Sequence, residues 1–270
     1  MDRLLAVKLD TTGCEAEVRL NGVPLGRADA ARPSLIVPVH EYIVSGSNRL
    51  ELVAWPPQVL PAGAAAPPPV PPLTSDGLQG ATVRVLLPRI GGAIHESSAR
   101  TLAQLDWAPP AGTRYEAPAT LSEDVSLPVS LPRWRWLEAR PHPAPAALHP
   151  QALALLQALA QDLARGDVER FIATVRLRTE EIAHAYQRRP EDEAARLRSD
   201  LLALHAAGRA AWVPPAAEAL WLHPIAGGRL LECLDPAGGP ALHTEPDALG
   251  QTHALPLRLG AVDNNLYVLR

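Results

Sequence analysis

Cysteine, methionine and phenylalanine are almost missing from this chain, which has two, one and one of them in 270 residues. Cys14 and Cys233 lie far apart, unlike the closely spaced cysteines that staple small secreted domains, so both are expected as reduced thiols. A formal net charge of −4 leaves no basic surplus and argues against a nucleic-acid or anionic-membrane partner. No run approaches the roughly 18 apolar residues of a membrane span. Met1 to Asp10 holds no apolar stretch of signal-peptide length, because Lys8 and Asp10 interrupt it. A soluble, cytoplasmic protein is the expectation. There is no Gly-rich phosphate loop, no Gly-x-Ser-x-Gly elbow and no Cys-x-x-Cys pair, so no cofactor is expected either.

What the chain has in quantity is proline, 29 residues of it, with much Ala, Arg and Leu and few Lys, a bias suggestive of a GC-rich bacterial genome. The length predicts two domains, each large enough to bury a core. From 1 to 140 the pattern has period 2. Leu5, Val7 and Leu9 alternate with polar or small residues, and so do Ala16, Val18 and Leu20 against Glu15, Glu17 and Arg19. Asn21-Gly22 follows, a pair suited to a two-residue hairpin turn because both positions accept positive φ. Leu35 to Ile43 is a further strand, which Pro38 pushes to an edge or a bulge. Further strands are predicted at Leu50 to Ala54, 81–90, 100–108, 115–129 and 133–140, about the count of a sandwich.

Between these strands, residues 56–72 form a Pro-rich run expected to be an exposed, polyproline-like loop. Its Pro68-x-x-Pro71 could dock on an aromatic groove of a partner. Arg133-Trp134-Arg135-Trp136, read as a strand, puts both tryptophans on one side. That is either a stacking platform for sugar or single-stranded nucleic acid, or a cap on the core or the domain junction.

Residues 141–150 punctuate the chain with Pro and His and serve as a linker. From 151 to 270 an α+β domain is predicted, three helices and then a curved antiparallel meander. Leu153, Leu156, Leu159, Ala160 and Leu163 make the first helical stripe, ended by Gly166. Val168, Phe171, Ile172, Val175, Ile182 and Tyr186 make the second. Pro190 opens the third, whose Glu191, Asp192 and Glu193 suit the helix dipole and which Gly208 ends. Glu180-Glu181 reads as a solvated helix face. The meander is predicted from strands at 219–223, 229–235, 241–245, 253–259 and 266–270.

Two resemblances follow from these residues. Val18-x-Leu20-Asn21-Gly22-x-x-Leu25-Gly26 with Gly46-x-Asn48-x-Leu50-x-Leu52 resembles the galactose-binding-like jelly-roll domain of β-galactosidase-like glycoside hydrolases, and it implies a scaffold more than sugar binding. The helix-then-meander order, with Ala164-Arg165-Gly166-Asp167-Val168-Glu169 at a helix joint, resembles the cone fold of nuclear transport factor 2, ketosteroid isomerase and SnoaL-like cyclases.

An isomerase of the second kind needs a carboxylate base and an acidic hydrogen-bond donor in an apolar cavity. Asp235, Tyr186, His184 and Tyr267 are the residue types available, although Asp235 before Pro236 also reads as a turn residue. His223, His243 and His253, with Cys233 or Glu232, could converge on a metal, but strand-borne ligands at i and i+2 are absent. The functional expectation is a non-catalytic accessory or immunity-type protein that binds a protein partner. A small-molecule isomerase, cyclase or hydrolase and a carbohydrate-binding module are the alternatives, and homo-oligomerisation is left open.

Overall fold

The computed structural model describes residues 4–57, 70–88, 99–142, 145–262 and 265–270. The fold is built mostly of antiparallel sheet, with four α-helices. Contacts divide it into two compact units, the first ending at Arg133 and the second running from Trp134 to Arg270.

The first unit contains β1 (Ala6–Thr12), β2 (Glu15–Leu20), β3 (Val23–Ala28), β4 (Ser34–Pro38), β5 (Ser47–Trp55), β6 (Val70–Thr74), β7 (Gly80–Pro88), β8 (Ala99–Trp107), β9 (Arg114–Ala117) and β10 (Ala119–Ser126). They form sheets of order β4-β1-β7-β8 and β10-β5-β2-β3 and a small β6-β9 pair. The alternation read from the sequence sets the inner faces. Val7, Leu9, Val83 and Val85 of the first sheet, with Leu5 just before it, meet Val18, Leu20, Leu50 and Leu52 of the second in one buried cluster. Facing away from this cluster, Arg84 and Lys8 pair with Asp10, and Thr82 and Gln104 both donate to Asp106. Those two donors hold the Asp106 carboxyl below its ordinary range.

Asn21 (φ 55°) and Gly22 (φ 73°) make the predicted turn between β2 and β3. Pro38 closes β4, which is an edge strand as expected, but the strand predicted to run on to Ile43 gives way to a 3-10 turn at His40–Tyr42. The Asn21 side chain also reaches beyond its hairpin. Its Nδ2 donates to Tyr42 O and Asn48 Oδ1, and its Oδ1 accepts the Arg49 N–H. Asn48, wholly buried, accepts from Val44 N–H and donates to the carbonyls of Val44 and Gly46.

Several expectations change. Residues 58–69, most of the Pro-rich run including Pro68, lie outside the described residues. The end of that run does join a ladder, since β6 pairs with β9, and the register slips between Val70 and Leu73, where Pro71 and Pro72 have no N–H to give. The long strand at 115–129 is broken into β9 and β10 at Pro118. A register shift between Val85 and Leu86 leaves Leu102 of β8 without a partner and packs it on the core, while Gln104 and Asp106 stay outward.

The second unit contains α1 (His149–Ala164), α2 (Glu169–Thr174), α3 (Arg176–Ala185), α4 (Pro190–Ala206), β11 (Trp221–Ile225), β12 (Leu230–Leu234), β13 (Arg258–Val262) and β14 (Asn265–Val268). Four helices stand where three were expected. The second stripe breaks at Val175, where Ile172, Thr174 and Val175 crowd three β-branched residues together and Thr174 bonds back to the Arg170 carbonyl. The sheet is a meander of order β11-β12-β13-β14. Residues 241–245 and most of 253–259 form no ladder of their own: they pair with each other at His243↔Ala254 and reach β12 through single backbone bonds, Ala241 N–H to Cys233 O and Cys233 N–H to Leu257 O. Gly166 (φ 79°) ends α1 against the His205 ring of α4, where a Cβ would come within 2.8 Å of Nε2.

Candidate binding surface

Strand parity decides which side chains of the second unit are available. Cα pairing links Leu222↔Cys233, Leu231↔Leu259 and Leu259↔Val268, and these point inward. There Leu222, Cys233, Leu259 and Val268 join Leu156, Leu159, Leu163 and Phe171 of the helices, and Val175 between α2 and α3, in one cluster. The space between helices and sheet, where an isomerase of the cone kind would hold its substrate, is occupied by these side chains.

The same parity separates two of the metal candidates. His223 pairs with Glu232 on the outward face, whereas Cys233, one residue on, is turned into the core. His243 and His253 bracket Thr244, which donates its N–H to His253 O and accepts the His253 N–H on Oγ1. Among the described residues no three His, Cys, Asp or Glu side chains are grouped closely enough to hold a metal ion.

The four catalytic candidates lie on three elements, His184 and Tyr186 both at the end of α3. Asp235 closes the turn after β12, accepting the Gly239 N–H on its carboxylate, and this is the turn role its Asp-Pro sequence suggested. It also lies 4.0 Å from His243 Nε2, a pairing between a catalytic and a metal candidate that spacing did not reveal. His184 is exposed on α3, and Tyr186 caps that helix with the Arg188 guanidinium over its ring. Tyr267 points outward from β14. A shallow groove of ≈ 250 Å³ between α3 and α4 has Ile182, Leu197, Arg178 and Arg196 among its lining, and none of the sequence candidates lines it.

Trp134 and Trp136 are 1% and 2% exposed. The expected strand from 133 to 140 is instead a 3-10 turn at Arg135–Leu137, so no open stacking platform exists there. Burial follows from the partners of this segment. The Arg270 guanidinium lies 5.4 Å from the Trp134 ring centroid and pairs with Glu181, while the other oxygen of Glu181 accepts the Arg135 N–H. Glu181 is therefore not on a solvated face. Its neighbour Glu180 is, and there it pairs with Arg176 one turn earlier.

Exposed aromatic surface is found instead on the outward face of the β11–β14 sheet. Trp221 (41% exposed) and His223 on β11, Leu234 and Glu232 on β12, Arg258 on β13 and Tyr267 (38% exposed) on β14 share that face by register. The Glu232–Arg258 ion pair lies between the two aromatics and neutralises the centre of the face. Trp221 and Tyr267 were separable in the sequence only as parts of strands. Which face they took depended on a register that local alternation does not reveal.

Both cysteines are free and buried. Burial pushes the Cys233 thiol up to about 12, and burial also raises Cys14, whose S–H donates to Gly80 O. Thiolate is thus scarce in the folded protein at neutral pH. A thiol-disulfide reagent added to native protein at pH 8 is expected to react far more slowly than with free cysteine, releasing two equivalents only after denaturation. Rapid reaction of the native chain would contradict this placement.

No family model matches the chain, and no curated protein matches it.

Proposed function

We propose that the chain is a non-catalytic binding protein whose partner is another protein, engaged on the outward face of the β11–β14 sheet. The observation that carries this reading is the pair Trp221 and Tyr267, exposed on one face around a neutralised ion pair. Aromatic and Arg side chains are the residue types that dominate protein interfaces, and a paired charge at the centre adds no uncompensated desolvation. The filled interior of the second unit speaks against a small-molecule isomerase, cyclase or hydrolase, and the burial of Trp134 and Trp136 speaks against a sugar module built on them.

We read the first unit as a jelly-roll-like sandwich domain, supported by two antiparallel sheets on one core. The second we read as a domain of the nuclear transport factor 2 type, supported by its helices-then-meander order. An accessory or immunity-type role in a bacterial cytoplasm fits two unpaired thiols.

The test is photo-crosslinking in the source cells from a reactive group at position 221, with position 202 on α4 as control, followed by purification of the same partner with Trp221→Asp and Tyr267→Asp variants. One protein crosslinked from 221 and not from 202, and bound at least ~30-fold more weakly by either variant, is the expected result. Undiminished binding by both folded variants would remove this face from the reading.

A further inference from the structure

We propose that the Asn21-Gly22 turn is a deamidation site gated by the folding of the first unit, closed in the native chain and open to reaction when that unit loosens. Asn21-Gly22 is the single Asn-Gly pair of the sequence. Asparagine reacts most readily in that pairing, because glycine has no side chain to hinder its amide nitrogen. The Gly22 nitrogen, losing its proton, attacks Asn21 Cγ; the Cγ–Nδ2 bond breaks and ammonia leaves, closing a five-membered imide. Water then opens either imide carbonyl and gives aspartate or isoaspartate. Both residues are partly exposed, so solvent reaches the turn.

The folded chain holds the side chain out of this reaction. Attack requires Cγ to swing over the residue's own following peptide, and three hydrogen bonds tie the amide elsewhere. Nδ2 donates to Tyr42 O (2.8 Å) and Asn48 Oδ1 (2.9 Å), and Oδ1 accepts the Arg49 N–H (2.9 Å). The Asn21 N–H completes the clamp by donating to Arg49 O. Reaction therefore runs through the small population in which these bonds have opened.

The product cannot close again on the same terms. Asn48 accepts the Val44 N–H on its Oδ1 and donates Nδ2 to Val44 O and Gly46 O, so its backbone contacts oblige it to present oxygen to residue 21. An aspartate there sets carboxylate oxygen against two acceptors, Tyr42 O and Asn48 Oδ1, where a donor stood. Deamidation thus marks, in one direction only, the molecules whose first unit has opened.

Peptide mapping by mass spectrometry, after incubation of the full chain at pH 8, tests the gate. Conversion at Asn21 is expected to be slower by on the order of tenfold or more than in a free peptide of residues 17–26, and to rise with urea along the unfolding curve. Asn48→Ala is expected to speed it severalfold. Asn21→Asp, which places the product's carboxylate in the turn, is expected to lower the urea midpoint further than Asn21→Gly, which removes the same donor and adds no charge. Conversion in the native chain as fast as in the peptide, or a rate indifferent to urea, would overturn the gate. Equal midpoints for the two Asn21 variants would overturn its one-way consequence.

Discussion

Glu181→Gln is expected to lower the unfolding free energy by about 3–5 kcal/mol, measured by urea unfolding followed by circular dichroism. Arg270 is the reason. Its side chain is only 1% exposed, and Glu181 pairs with it; the guanidinium also meets the Leu269 carbonyl and the face of Trp134. Removing the carboxylate charge leaves a buried cation with incomplete compensation, and it weakens the acceptor of the Arg135 N–H at 2.7 Å. The double variant Glu181→Gln with Arg270→Met should recover part of the loss, because the stranded charge goes with its partner. A single-variant loss below about 1 kcal/mol would show that water reaches the pair and that it behaves like a surface bridge.

Asn48→Ala in the first unit is expected to cost about 2–4 kcal/mol by the same measurement. The side chain is wholly buried, and it satisfies Val44 N–H, Val44 O and Gly46 O at once while receiving Asn21 Nδ2. Alanine removes the side-chain partner of those partly buried backbone groups and empties a wholly buried site. Asn21→Gly separates turn conformation from this network. Glycine accepts the φ of 55° at no steric cost, so the loss in that variant, expected near 1 kcal/mol, reports chiefly on the contacts with Tyr42, Asn48 and Arg49. Equal stability of Asn48→Ala and wild type would mean that the loop from Val44 to Gly46 rearranges to bond elsewhere.

These two residues mark the limits of what could be read from the chain. Asn21 stood out because Asn-Gly is a turn signal, and the turn was found, but its bond to Asn48 spans 27 residues of sequence and no local rule reports it. Glu181 was read with Glu180 as one solvated pair. Adjacent helical positions point about 100° apart, so one faces Arg176 in solvent and the other the buried Arg270. Trp134 and Trp136 looked like a strand because Arg and Trp alternate. Contacts with Arg270, Glu181 and Arg229, all distant in sequence, hold that segment as a turn.

Local order alone determined the alternating strands of the first unit, the Asn21-Gly22 turn, the edge position of the strand ending at Pro38, the start of α4 at Pro190 and the end of α1 at Gly166. Each depends on φ preferences, a missing proline donor or a repeat of 2 or 3.6 residues, all of which act over a few positions. Tertiary structure alone decided which sheet face Trp221 and Tyr267 occupy, that Cys233 and His223 point apart, and that a segment resembling a linker became part of the second unit's surface. The reason is that register and long-range ion pairs are set by what packs opposite, and a residue's own neighbours in sequence carry no record of that.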